Sequence, residues 1–197
     1  MTVALKAPFR AATAEDASAL ADLIDFAGEG LPSYLWGEMA EEGETARDVG
    51  QRRARREEGS FSYRNAIIAE EDGRPAACLI GYALPDAPEP IGYDTMPAMF
   101  VPMQELENLA PGTWYVNVLA AYPEFRGRGI GAGLLALAEK IAAETGRKGL
   151  SIIVADANTG ARRLYERCGY SEVAIRPMVK EDWENPSKNW VLLTKSL

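Results

Sequence analysis

Histidine is absent from the 197 residues of the chain, and only two cysteines occur, Cys78 and Cys168. Without histidine and without a CxxC pair, most zinc sites and all histidine-based catalysis are excluded, so the sequence predicts no bound metal. An acid or a base must then be a carboxylate, a phenol, a thiol, an amine or water. Both cysteines lie in apolar segments, which favours buried packing roles.

Long apolar runs and excess positive charge are also missing. No run approaches the roughly 18 to 20 residues of a membrane helix, and the first ten residues lack the apolar core of a signal peptide. The net charge of -8 argues against duplex nucleic acid and mildly favours a cationic or neutral substrate. We therefore expect a cytoplasmic protein without membrane or nucleic-acid partners. The length favours a single domain over residues 1–197.

The first half of the chain predicts helices followed by a hairpin. Thr13 and the acidic residues after it are typical of a helix start, and Leu20, Leu23 and Ile24 lie on one helical face. A helix pair is expected next, broken near Gly43. Two β-rich runs then flank the turn at Glu71–Pro75, as in a β-hairpin.

Residues 85–112 combine six prolines with several carboxylates and show no clean period. We expect a long loop with a short helix near residues 102–110, and a loop of this length is a candidate substrate lid. From Thr113 onward the pattern predicts strand, loop, helix, strand and helix, with two more strands in the tail. The fold class is therefore α/β (α+β), with a sheet of mixed direction.

The segment "FRGRGIGAG", residues 125–133, joins the first of these strands to its helix. A helix start offers unpaired N–H groups and a positive dipole end, and Gly127, Gly129 and Gly131 let an anion approach the backbone. Arg126 and Arg128 add positive charge. These residues predict a phosphate site. They also match the dinucleotide pattern GxGxxA, so a nicotinamide-dependent oxidoreductase remains an alternative at this point.

Two linked motifs carry a family resemblance. "VNVLAAYPEFRGRGIGAGLLALAEKIA" and "LSIIVADANTGARRLYERCGY" resemble the two core motifs of the GNAT superfamily, whose members are acetyl-CoA-dependent N-acetyltransferases. The first matches that family's Arg/Gln-x-x-Gly-x-Gly/Ala signature at Arg126, Gly129 and Gly131. The second matches its asparagine-to-tyrosine spacing at Asn158 and Tyr165. The resemblance covers roughly residues 114–172 and leaves the substrate open.

The resemblance implies a mixed, mostly antiparallel sheet with a splayed central strand pair, flanked by helices. It implies an acetyl-CoA-binding core over residues 113–172, with a bulge near residues 118–120 that frees main-chain atoms for the pantetheine arm. The residues that it places at acetyl-CoA are Leu119, Ala120, Ala121, Arg126, Gly127, Arg128, Gly129, Ile130, Gly131, Ala132, Asn158 and Tyr165.

Tyr165 corresponds to the family's general acid, which protonates the departing thiolate. Tyr165 also lies on a helical stripe, so an ordinary core role stays open. The general base is less well marked, because Ile153 replaces the glutamate frequent in members that acetylate protein N-termini. Tyr115 and Asn117 share one face of their strand and could order a water that takes the amine proton. More remote choices for this base are Glu70, Asp94 and Glu105.

Other aromatic residues and the reaction itself follow from the same resemblance. Tyr34 and Trp36 lie where acceptor-site walls are usual, although a plain aromatic core contact is the favoured role for both. We expect acetyl transfer from acetyl-CoA directly to an amine of a small molecule or, as second choice, of a protein. A non-catalytic acyl-CoA-binding regulator is the alternative, and a homodimer is compatible with either.

Overall fold

The computed structural model describes residues 3–197. Within this range the chain has a mixed α/β fold, in which seven strands form a mostly antiparallel sheet flanked by six α-helices. This is the fold class that the sequence predicts. The helices are α1 (Ala17–Ala27), α2 (Leu31–Glu38), α3 (Ala46–Ala54), α4 (Val101–Glu107), α5 (Ile130–Glu144) and α6 (Thr159–Arg167). The strands are β1 (Phe9–Ala11), β2 (Ala66–Glu71), β3 (Arg74–Ala83), β4 (Trp114–Ala121), β5 (Gly149–Ala155), β6 (Ser171–Pro177) and β7 (Asn189–Ser196).

The chain forms two compact units. The N-terminal unit consists of residues 4–81 and 117–134, and the C-terminal unit consists of residues 82–116 and 135–197 with Val3. Strands β3 and β4 and helix α5 therefore each have residues in both units. The single domain over residues 1–197 and the binding core over 113–172 stay predictions.

The N-terminal unit contains the antiparallel strands β1, β2 and β3 in that order. The predicted hairpin is present, and Asp72 and Gly73 form its tip with φ of +53° and +71°, as a tight turn of this kind requires. Strand β1 was missed, because three residues are too few to show an alternating pattern.

Residues of helices α1 and α3 share an apolar cluster with residues of strands β2 and β3 in the same unit. The helix start predicted at Thr13 is present, with a 3-10 turn before α1 in which Asp16 accepts a 2.7 Å hydrogen bond from the Thr13 main chain. The predicted face of α1 packs into an apolar cluster to which β4 also contributes. Its members include Leu20, Leu23, Ile24, Trp36, Val49, Ile68, Cys78, Ile80 and Val118.

The C-terminal unit has the strand order β4, β5, β7, β6. Strands β4 and β5 are parallel, with Trp114 opposite Leu150 and Val116 opposite Ile152, whereas β7 is antiparallel to both β5 and β6. The splaying of the central pair beyond Val116 and the bulge near residues 118–120 stay predictions.

The proline-rich segment behaves as the sequence predicts. Residues 85–97 lack regular structure, and a 3-10 turn at Ala98–Phe100 leads into the short helix α4. Across residues 3–197, no helix combines the length and the apolar character needed to span a membrane.

Candidate active site

Strand β4 presents different residues on its two faces. Val118 and Ala120 pack against the apolar cluster of the N-terminal unit, so alternation places Asn117, Leu119 and Ala121 on the opposite face. The amide nitrogen of Asn117 is buried, and no hydrogen-bond partner for it exists within residues 3–197. A buried donor in this state is available to a ligand.

Tyr115 lies on the part of β4 that belongs to the C-terminal unit, and its side chain is only 5% exposed. Its ring makes an edge-to-face contact with Tyr82, with 5.7 Å between the ring centroids. Burial raises the pKa of Tyr115 well above its ordinary value, and the nearby charges of Glu107, Tyr82 and Tyr165 add to the effect. The phenol therefore stays protonated and acts as a hydrogen-bond donor.

Tyr165 is the buried residue of helix α6, and its ring lies 6.0 Å from that of Tyr170. The rest of the predicted stripe is only half-buried, at Ala161, Leu164 and Cys168. The prediction that both cysteines are buried is thus wrong for Cys168. It is confirmed for Cys78, whose burial raises the thiol pKa to about 12.

Glu107, the last residue of α4, is a candidate base that the sequence reasoning missed. Burial raises its pKa to about 7, and the carboxylate of Glu89 contributes to the rise. A helix C-terminus also disfavours negative charge. Within residues 3–197, no salt bridge with a cation offsets these effects. Glu107 lies near enough to Tyr115 for its charge to raise the pKa of that phenol.

The three carboxylates that the sequence offered as more remote choices are either bound to an arginine or exposed. Glu70 is bound to Arg10, with 2.8 Å between Oε1 and Nε, and Glu105 is bound to Arg176 at 2.6 Å. Asp94 is exposed. Glu105 and Glu107 lie two positions apart on one helix and differ in the groups that surround them. The sequence gives no signal of those surroundings.

The glycine loop, residues 126–132, is the predicted phosphate site, and its backbone lies open. Helix α5 begins at Ile130, so the main-chain N–H groups of its first turn have no partners within the helix. Gly127 and Gly129 have φ of +75° and +83°, and a Cβ atom at either would meet no atom within 4 Å. The loop therefore needs glycine for its conformation and leaves open space above its backbone.

The two arginines of the loop make contacts within the N-terminal unit. Arg126 donates to the carbonyl of Ala121 at 3.0 Å, and its guanidinium lies over the ring of Phe26. Arg128 donates to Glu71 at 2.5 Å and to the carbonyl of Glu124 at 2.8 Å. Their positive charges are therefore partly engaged in holding the loop.

Asn158 caps helix α6, because its side-chain oxygen accepts a 3.1 Å hydrogen bond from the main chain of Ala161. Its predicted contact with pantetheine stays a prediction. Trp36 is a core residue, packed so tightly that a Cβ on Gly50 would come within 2.4 Å of its ring, whereas Tyr34 is half-buried. No three Cys, Asp or Glu side chains of the described residues are grouped as a metal site would require.

The chain belongs to the acetyltransferase (GNAT) family, whose family model matches residues 30–170. An acyltransferase is therefore the class of enzyme to which it is assigned. This assignment confirms the resemblance carried by the two motifs, and the glycine loop as a CoA site stays a prediction.

Solved structures share this fold. An N-acetyltransferase from Staphylococcus aureus Mu50 superimposes with a TM-score of 0.62 at 18% identity, covering 94% of this chain and 98% of its own. A Bacillus subtilis acetyltransferase in complex with CoA gives 0.54 at 16% identity, covering 91% of each chain. A further acetyltransferase structure gives 0.65 at 21% identity, covering 95% and 98%. Among curated proteins, none matches this chain significantly.

Proposed function

We propose that this chain transfers the acetyl group of acetyl-CoA directly to an amine, with Glu107 as general base and Tyr165 as general acid. The acceptor is a small-molecule amine, with a protein amine as second choice. The observation that carries the proposal is the carboxyl group of Glu107, whose pKa is raised to about 7 beside the protonated phenol of Tyr115.

Glu107 is assigned as the base because its pKa lies near neutral pH, where the reaction has to run. An alkyl amine has a pKa of about 10 and is protonated at neutral pH, so a group must remove its proton before it can attack. A base works best when its own pKa lies near the operating pH. Glu107 meets this condition, whereas the Tyr115 phenol holds its proton and can only donate a hydrogen bond to the amine or to a water molecule.

Acetyl-CoA, when bound, supplies the electrophilic thioester carbonyl. The first-turn N–H groups of α5 and the open backbone at Gly127 and Gly129 suit its pyrophosphate. Glu107 takes one proton from the ammonium form of the acceptor and releases it to solvent, which leaves a neutral amine to attack the carbonyl. As the C–N bond forms and the C–S bond breaks, the Tyr165 phenol gives its proton to the leaving sulfur, and the second proton that leaves the nitrogen returns to the Tyr165 phenolate through water. Asn117 offers its unpartnered amide to the acceptor or to an ordered water.

An acetylation screen over amines tests the activity. Purified protein is incubated with acetyl-CoA and each amine, and free CoA is measured with a thiol reagent while the product is identified by mass. Acetylated amine with stoichiometric CoA is the expected result. Binding of CoA without any product across the screen would instead support the non-catalytic regulator.

The pH dependence of kcat/KM then tests Glu107. The rate of the natural protein should rise with pH through a midpoint near 7, because only ionised Glu107 can accept the proton. Glu107→Gln should lower kcat/KM by about 100-fold and remove its rise with pH. Glu105→Gln on the same helix is the matched control, and its kcat/KM should still rise with pH through the same midpoint. Full activity of Glu107→Gln would rule out the base assignment.

A further inference from the structure

The side chain of Asn108 pairs with the main chain of Glu89, nineteen residues earlier. The Asn108 oxygen accepts from the Glu89 N–H at 2.9 Å, and the Asn108 amide nitrogen donates to the Glu89 carbonyl at 2.8 Å. Asn108 is the C-cap residue of α4, directly after Glu107. The pair therefore ties the proline-rich segment, residues 85–97, to the end of the helix that carries Glu107.

The proline-rich segment depends on such ties. Its four prolines have no N–H group, so its main chain can make few hydrogen bonds of its own. It is fixed at its start, where the carbonyl of Pro85 accepts a 2.7 Å hydrogen bond from Gly112. A second contact, between Asp86 and Arg147, is an exposed ion pair at 3.2 Å, a kind of interaction that holds weakly. Asn108 supplies the two-point attachment further along.

Glu89 is the charged residue of this segment that acts on Glu107. Helix α4 also packs against β5, β6 and β7, and β5 carries no ionisable side chain. The ionisable side chains of β6 and β7 are held in ion pairs: Arg176 with Glu105, Glu172 with Arg162, and Lys195 with Glu139. From β4, the neutral phenol of Tyr115 faces Glu107, and Tyr82 and Tyr165 face Tyr115.

We propose that Asn108 is a positioning residue: by clamping the main chain of Glu89 to the end of α4, it keeps the Glu89 carboxylate beside Glu107. The clamp then sets the pH at which Glu107 gives up its proton, because a like charge nearby disfavours ionisation. This inference rests on the proposed function for its catalytic meaning, but the clamp acts on Glu107 whether or not the reaction is as proposed.

A titration of the full chain labelled with 13C at glutamate carboxyls tests the clamp without any acceptor. The Glu107 signal is assigned by its loss in Glu107→Gln, and its midpoint is measured between pH 4 and 9. Asn108→Ala and Glu89→Gln should each lower the midpoint by about 0.5 to 1 pH unit. Gln104→Ala, on the same helix, removes only a 3.4 Å hydrogen bond from the Gln104 amide to the Asn108 oxygen. It leaves both Glu89 hydrogen bonds in place and should not shift the midpoint.

The double variant decides whether Asn108 acts through Glu89. In the Glu89→Gln background, Asn108→Ala should shift the midpoint by less than half of its effect in the natural background, because the charge that the clamp holds is gone. Additive shifts, or an unchanged midpoint in a folded Asn108→Ala protein, would overturn the proposal. Thermal unfolding of each variant establishes that it is folded.

The two proposals fail in different ways. Full acetyl transfer by Glu107→Gln, with the non-additive shifts still present, would remove the catalytic role of Glu107 and leave the Asn108 clamp intact. Loss of activity in Glu107→Gln with no effect of Asn108→Ala on the midpoint would keep the base and refute the clamp.

Discussion

Arg128 of the glycine loop donates a 2.5 Å hydrogen bond to Glu71, so one of the two cations expected to attract CoA is already bound to a carboxylate. We expect Glu71→Gln to tighten CoA binding by about 2- to 5-fold, the scale of an exposed ion pair. Calorimetric titration of CoA at low and high salt measures this, with a smaller gain at high salt. Glu124→Gln removes a charge near the loop but keeps the main-chain bond to Arg128, so its gain should be smaller. Weaker binding by Glu71→Gln would show that the ion pair holds the loop in its binding shape.

The open backbone at Gly129 should contribute to CoA binding as well as to stability. Gly129→Ala places a side chain at φ of +83°, and Gly43→Ala does the same at +81°, also in open space. Each should lower the free energy of unfolding by about 1 kcal/mol. Only Gly129→Ala should weaken CoA binding, by about 10-fold or more. Equal CoA affinities in the two variants would contradict the cradle.

The hydroxyl of Tyr165 should matter for turnover. We expect Tyr165→Phe to lower kcat at neutral pH by about 10- to 100-fold, with acetyl-CoA affinity nearly unchanged, because the loss falls on protonation of the leaving sulfur. Steady-state kinetics combined with CoA titration separates the two quantities. An unchanged kcat would remove Tyr165 from the mechanism.

Tyr170 is the matched control for that experiment. Its hydroxyl is buried and finds no hydrogen-bond partner within residues 3–197. Tyr170→Phe should therefore keep kcat and raise the free energy of unfolding by about 1 kcal/mol, since an unsatisfied buried group is removed. Urea unfolding measures the change, and a clear loss of stability would show that the hydroxyl has a partner in solution.

Two substitutions at Asn158 separate capping from binding. Asn158→Ala should cost about 1 kcal/mol of stability through loss of the α6 cap, whereas Asn158→Ser keeps a capping oxygen and most of the stability. Because the family resemblance places the Asn158 amide at pantetheine, we expect Asn158→Ser to weaken acetyl-CoA binding several-fold. If Asn158→Ser binds acetyl-CoA as tightly as the natural protein, Asn158 serves only as the cap of α6.

Local pattern was enough to predict most of the elements. The hairpin at Asp72–Gly73, the α2 and α3 pair, and the strand-loop-helix series from Thr113 all follow from residue periodicity and turn chemistry, which act between near neighbours. Strand β1 escaped because a three-residue strand is stabilised by pairing with β2 rather than by its own sequence.

The sequence by itself determined the family and predicted the glycine loop as a CoA site, because the motif glycines and the spacing from Asn158 to Tyr165 are local properties of the chain. Only the tertiary structure decided which carboxylate is suited to act as a base. Glu105 and Glu107 look alike in sequence, yet Glu105 is bound to Arg176 while Glu107 is half-buried near Glu89 and Tyr115. Proton affinity depends on burial and neighbouring charge, and the fold brings those neighbours together from the loop and from β4.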